Sequence, residues 1–231
     1  MSVSTAIDSP FKAFARGYAK SYVAVGALAV LIAILLAALF APWVSPQNPY
    51  DLAQLDIMDS KLAPGSKGAT GMTYWLGTDD QGRDMWSGIL HGLRISLGVG
   101  VGATLAALAI GILAGLIAAY AGGWTETLIM RVVDLQLSFP AILIALILLA
   151  ALGQGVDKIV IALITVQWAY YARTVRGAAL VEKRKEYVDA AVCLGFSSTR
   201  IVLRHILPNV LPPLIVVATV QVAHAIALEA T

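Results

Sequence analysis

The chain has 231 residues, 59% hydrophobic and 13% charged, with a formal net charge of +2 and a mean hydropathy of +0.80. A soluble domain carries about a quarter charged residues, so this chain has too little polar surface for a water-facing exterior, and a bilayer is the solvent that suits it. The small net charge gives no global field for nucleic acid, and the single cysteine, Cys193, excludes an internal disulfide or a cysteine-built zinc site.

A spanning helix needs about 20 mostly apolar residues, and the runs that meet or approach this length define the elements in chain order. Residues 1–21 form a polar tail containing Lys12, Arg16 and Lys20. The first apolar run covers about Tyr22 to Ala41 and ends at Pro42-Trp43. It is longer than the apolar core of a signal peptide and no small-residue cleavage site closes it. It therefore reads as an uncleaved anchor, a first transmembrane helix over 22–42. Residues 43–94 form a long polar segment with Asp51, Asp56, Asp59, Asp79, Asp80 and Asp84. Within it, Pro64, Gly65, Ser66, Lys67, Gly68 and Gly71 predict a flexible loop.

The second run goes from about Ile95 to Tyr120 and stops at Gly122-Gly123. The third covers about Leu128 to Leu152 with Pro140 inside it. The fourth, about Ile159 to Tyr171, is short and is extended by flanking residues such as Val156 and Val175. The fifth follows Pro212-Pro213 and covers Leu214 to Leu228. Helices and closed barrels alone satisfy the backbone in lipid, and the alternation of barrel strands is absent. The expected fold is all-α, a polytopic helical bundle with five spans, in which 95–231 is the main transmembrane domain.

Orientation follows from Lys and Arg. With the N-terminus in the cytoplasm, the inside holds the tail cations with Arg131, Arg173, Arg176, Lys183, Arg184, Lys185, Arg200 and Arg204. The outside holds Lys61, Lys67, Arg83, Arg94 and Lys158. The reverse topology inverts the bias. Segment 43–94 is then external, 173–209 is a basic cytoplasmic loop, and five spans put Thr231 outside.

The cytoplasmic loop carries the strongest local pattern. From Glu186 to Gly195, then to Asn209, the residues predict two short helices with a break. Tyr187, Ala190, Ala191 and Leu194 share a face by spacing, and Gly195 suits a left-handed C-terminal cap. Ser197 or Ser198 can cap the next helix, and Pro208 ends it. Small alanines on an exposed face allow close approach of another protein. An amphipathic helix lying on the inner leaflet fits the same residues.

Weaker signals have plainer readings. Gly98, Gly100 and Ala103 mimic a dinucleotide fingerprint but no strand precedes them. Gly98/Gly102 and Gly111/Gly115 are spaced for close helix packing, and Arg131 and Asp134 are spaced for mutual pairing. Gln167, Gln221 and His224 are polar groups in apolar sequence, suited either to interhelical hydrogen bonds or to a substrate path. No catalytic constellation, nucleotide-binding loop or metal motif occurs.

The loop resembles the "EAA" loop of ATP-binding-cassette importer permeases: E-A-A, three residues, G, nine residues, I-x-L-P. Here the pattern is Asp189-Ala190-Ala191, Gly195 and Leu207-Pro208, with Asp189 for the glutamate and His205 for the isoleucine. His205 to Asn209 is similar to the H-I-L-P-N string of the dipeptide/oligopeptide/nickel branch. Trp75 to Asp84, with Gly92, Arg94, Ser96 and Leu97, resembles the W-L-G-T-D-x-x-G-R-D…G-x-R-x-S-L block of that branch. Gly88 stands where an arginine often follows the serine.

The resemblance covers nearly the whole chain and is closest to the second permease subunit type. It implies a type I importer in the bacterial inner membrane. The partners would be a second permease subunit, two cytoplasmic ATPase subunits holding ATP and Mg, and an external solute-binding protein for peptides, related solutes or nickel. It also implies that Glu186, Tyr187, Asp189, Ala190, Ala191, Gly195, Leu207 and Pro208 meet an ATPase. No cofactor is expected on this chain, and hydrolysis belongs to the partners. The family continues past the glutamate matched by Glu229 with a sixth span, so a truncated product or fragment is expected. The rival readings are an ion-gradient-driven secondary transporter, which calls for intramembrane carboxylates, and a non-transporting membrane subunit.

Overall fold

A computed structural model describes residues 16–230. Lys12, most of the expected tail and Thr231 lie outside the described residues. The chain divides into two compact units, Met1–Ile95 and Ser96–Thr231.

In the first unit, helix α1 spans Tyr22–Val44, begun by Ser21, whose hydroxyl accepts from the Ala24 amide at 3.3 Å. At 1.5 Å per residue it is about 34 Å long, enough to cross a hydrocarbon core. Most of its large apolar side chains are exposed, as lipid-facing groups are. Pro42 sits inside its last turn rather than ending it; so close to the helix end it removes a single intrahelical donor.

Residues 45–84 are more ordered than the glycines suggested. Two 3-10 turns, Leu52–Gln54 and Ile57–Asp59, are each opened by an aspartate, Asp51 and Asp56, whose carboxylate accepts an amide of the turn. Strands β1 (Ser66–Lys67) and β2 (Thr73–Tyr74) pair antiparallel, so a hairpin stands where a flexible loop was expected. Its anchor is Asp59, only 4% exposed. Asp59 accepts from the Tyr74 hydroxyl at 2.9 Å and from the Ala69 amide at 2.9 Å. Burial, reinforced by the Asp59 carboxylate, pushes the Tyr74 phenol up to about 12. Gly77 of the Trp75–Asp84 block closes against the Leu62 carbonyl, where a side chain would collide.

Helix α2 spans Met85–Ala121 and crosses the boundary between the units. It begins ten residues before the apolar run because Asp84 caps it: the Ser87 amide donates to Asp84 Oδ2 at 2.9 Å. Ser87, His91 and Arg94 interrupt the apolar pattern of these first turns and hid the start from a hydrophobicity reading.

The second unit continues with α3 (Gly123–Leu137) and α4 (Ala141–Leu152). The expected third run is thus two helices meeting at 90°. Pro140 has no amide proton and bars helical geometry at Phe139, and the Ser138 hydroxyl takes the Asp134 carbonyl at 2.7 Å. Helix α5 spans Val156–Lys183 and packs against α3, α4 and the last helix. Then come α6 (Glu186–Cys193), α7 (Ser198–Ile201), a π-turn over Val202–Ile206, and α8 (Leu207–Glu229).

Among the described residues three helical stretches are long and apolar enough to cross a membrane, Tyr22–Val44, Met85–Ala121 and Ser198–Glu229, or four if α3 and α4 make one broken span. The expected fourth span lies in α5, which is not among them. Its sequence is less apolar because it is the central helix: Leu163, Val166, Ala169, Tyr171, Ala172 and Val175 are all buried, and a helix wrapped by neighbours meets little lipid. Pro212 and Pro213 lie inside α8 rather than before it, and Pro208, expected to end a helix, opens α8, where its missing donor is not needed.

Small residues set the closest approaches. A Cβ on Gly111 would collide with Tyr171, and one on Gly115 would come within 2.6 Å of the Ala172 carbonyl, so α2 and α5 touch backbone to backbone there. Gly98 and Gly102 have open space around them, while Gly100 between them meets Ile226 at 2.7 Å. Gly111/Gly115 behaves as its spacing predicted; Gly98/Gly102 does not.

Candidate coupling site

The segment from Glu182 to Asn209 is held by backbone turns and a polar network. At the end of α6 the Gly195 amide donates to the Val192 carbonyl at 2.9 Å and the Phe196 amide to the Ala191 carbonyl at 3.1 Å. This 6→1, 5→2 pair needs a left-handed residue, and Gly195 has φ +73°. The Ser197 hydroxyl then accepts from the Arg200 amide at 3.4 Å and opens α7. Both caps follow the sequence reading.

The face of α6 is divided differently. Val188 and Ala191 are buried, 3% and 4% exposed, and join a core with Ala179, Ile201, Ile206 and Val210. Glu186, Asp189 and Ala190 are exposed, and Tyr187 is partly so. Ala191 therefore anchors the helix and cannot lie on its outer face with Ala190, because 100° per residue separates neighbours. Leu207 packs on the same core, and Pro208 is exposed.

Glu182 was missed in the sequence. It is 9% exposed and accepts from Lys185 Nζ at 2.6 Å and from the Tyr187 hydroxyl at 2.7 Å. These two donors, Lys185 first, hold its carboxyl below the usual range. Burial and then the Glu182 carboxylate push Tyr187 up to about 12. Asn209 Nδ2 donates to the Tyr187 hydroxyl at 3.3 Å and to the His205 carbonyl at 2.7 Å. Lys183 Nζ donates to the Ala119 and Tyr120 carbonyls at 3.1 and 2.9 Å, satisfying the last turn of α2. The His205 ring stacks on Phe196, centroids 5.9 Å apart, and the Arg200 guanidinium covers the same ring at 4.0 Å. No short periodicity marks Glu182 with Tyr187, since the chain turns between them.

The other expected polar residues are scattered. Gln167 is buried and accepts from Thr104 at 3.1 Å, an interhelical bond. Gln221 is buried, whereas His224 is exposed beside Thr219, Val220 and Ala223 along α8. The three do not converge on one site. Asp134 pairs with Arg173 on α5, not with Arg131 as its spacing suggested; the ion pair joins two helices instead of stapling one. Glu126 similarly pairs with Arg176. Gln136, unremarked in the sequence, accepts from Trp168 Nε1 at 2.8 Å. Among the described residues no cluster of three or more metal-ligating side chains occurs.

Residues 107–231 match the family described as "Binding-protein-dependent transport system inner membrane component". Residues 9–64 match the "N-terminal TM domain of oligopeptide transport permease C". The chain is 37% identical over 224 residues to the di/tripeptide transport system permease protein DppC of Pseudomonas aeruginosa, covering 96% of this chain and 73% of that protein. It is 39% identical over 204 residues to a putative peptide transport system permease protein of Brucella suis, covering 88% and 66%. It is 34% identical over 220 residues to the glutathione transport system permease protein GsiD of Pectobacterium atrosepticum, covering 95% and 70%. A match over more than half the chain, joined to relatives that align with nearly all of this chain, settles the class: the chain belongs to the binding-protein-dependent transport system inner membrane component family, as a transmembrane permease subunit of an ATP-binding-cassette importer and not an enzyme.

Proposed function

We propose that this permease subunit imports peptides or related small solutes, and that α6 with its capped turn is the seat for a cytoplasmic ATPase. The observation that carries the reading is the two-sided build of α6. Val188 and Ala191 fix it to the core, while Glu186, Asp189 and Ala190 are presented outward next to a rigid glycine turn. A helix anchored on one side and bare on the other transmits a push as a lever. The names of the relatives, di/tripeptide and glutathione permeases, support the solute class.

In this reading the N-terminus is cytoplasmic, loop 45–84 is external and meets a solute-binding protein, and a second permease subunit completes the path. ATP and Mg sit on two ATPase subunits. His224 on the exposed face of α8 is the best path-lining candidate of the three polar residues. The ion-gradient alternative is disfavoured because Asp134, its acidic candidate, is engaged with Arg173.

Uptake of radiolabelled di- and tripeptides into proteoliposomes holding the full assembly tests the reading. Asp189→Lys is expected to abolish ATP-driven uptake while the chain remains in the membrane; normal uptake by this variant would remove the seat from α6. A cysteine at Ser66 is expected to react with an impermeant thiol reagent from outside and one at Ser198 not to; reversed labelling rejects the orientation.

A further inference from the structure

We propose that Glu182, Tyr187 and Asn209 form a hydrogen-bonded clamp that positions α6 against both long helices flanking it, so that motion of α6 is delivered to α8. The proposal rests on the reading of α6 as the ATPase seat. The clamp has one member on each element: Glu182 at the end of α5, Tyr187 on α6, Asn209 in the first turn of α8.

Its chemistry is directional. The Tyr187 hydroxyl has one proton and gives it to Glu182 Oε2 at 2.7 Å, so at the same oxygen it accepts from Asn209 Nδ2 at 3.3 Å. The other carboxylate oxygen is taken by Lys185 Nζ at 2.6 Å. A relay that ends on a buried, paired carboxylate is polarised along its length, which strengthens each link. The apolar contacts of Val188 and Ala191 hold α6 on the core but are non-directional; the relay adds directional bonds to the two long helices. Asn209 also holds the His205 carbonyl at 2.7 Å, within the π-turn Val202–Ile206, an irregular stretch of a kind frequent at functional sites. The clamp therefore grips the joint between α7 and α8 as well as α6.

The side chains involved differ in accessibility. Glu182 is buried, while Tyr187 and Asn209 reach the surface. Loss of Asn209 thus removes its bonds to Tyr187 and to the His205 carbonyl without opening a cavity, which separates a positioning role from a folding role.

The test uses the assembled transporter with its ATPases, comparing amide hydrogen exchange without nucleotide and with ATP-vanadate. In the wild type, nucleotide is expected to change exchange in residues 186–193 and also in 210–229. With Asn209→Ala or Glu182→Leu, the nucleotide response of 186–193 is expected to persist and that of 210–229 to fall, about tenfold in Glu182→Leu, which loses a charge-assisted hydrogen bond, and about fivefold in Asn209→Ala, which loses neutral ones. Glu182→Gln, which keeps an acceptor for Tyr187, is expected to rescue most of it. Nucleotide-free exchange in Asn209→Ala should match the wild type, which a folding defect would not allow. An unchanged response of 210–229 in Asn209→Ala and Glu182→Leu overturns the clamp. A wild type with no nucleotide response in 186–193 overturns instead the seat on which it rests.

Discussion

Gly195 is the residue on which the outer turn of the proposed ATPase seat depends, and its replacement separates backbone from side-chain effects. A Cβ there would meet nothing within 4 Å, so Gly195→Ala adds no clash and its cost is that of holding an L-residue at φ +73°, about 1 kcal/mol. That corresponds to a roughly fivefold increase in the open population of the turn. Gly195→Pro costs more for two reasons. Its φ is fixed near −65°, and it lacks the amide that donates to Val192 at 2.9 Å. The adjoining Phe196–Ala191 bond is then lost as well, for a total of about 3 kcal/mol or a shift on the order of a hundredfold. Gly195→Asn, which tolerates the left-handed region, should stay close to wild type.

Trypsin cleavage after Arg200, one turn beyond, follows the open population when reclosing is fast. Arg200 lies over the Phe196 ring at 4.0 Å and is freed with it. Cleavage should therefore quicken about fivefold in Gly195→Ala and by two orders of magnitude in Gly195→Pro, with ATPase retention on purification falling in the same order. Equal cleavage of the Ala and Asn variants, or wild-type behaviour of Gly195→Pro, would refute the argument that the left-handed turn holds the seat.

Other perturbations address packing, charge and pH. Gly115→Val should lower the thermal midpoint in detergent sharply, because its Cβ would lie 2.6 Å from the Ala172 carbonyl and 2.7 Å from Val175 Cβ, whereas Gly98→Ala should leave it unchanged. In a double-mutant cycle Asp134→Ala should couple to Arg173→Ala by under about 1 kcal/mol, since the pair is half-exposed, and less still to Arg131→Ala. Tyr74 should stabilise loop 45–84 fully below its unfolded value near 10 and lose that contribution as pH rises through about 12. Proteolysis of the loop should accelerate in that window, and Tyr74→Phe should flatten the dependence; a parallel profile in both proteins would refute the assignment.

Much of this protein was legible in one dimension because lipid imposes a one-dimensional rule. A segment facing hydrocarbon must be apolar along a fixed length, so α1 and the apolar part of α2 could be read directly. The turn at Gly195 and the Ser197 cap were also legible, since both are local: the residue that can adopt the geometry is the residue that makes it. What long-range contact decides could not be read. Helix α5 is less apolar than a solitary span because other helices, not lipid, surround it. The third apolar run bends by 90° where a periodicity count sees only a proline. Asp134 finds Arg173 instead of Arg131 because an ion pair is set by helix packing, not by sequence spacing. Ala191 turns inward while Ala190 stays outside, a choice that rests on which side of α6 meets the core. Glu182, Tyr187 and Asn209 are brought together across the α5–α6 turn and the α7–α8 joint, and only the folded chain could show that they meet.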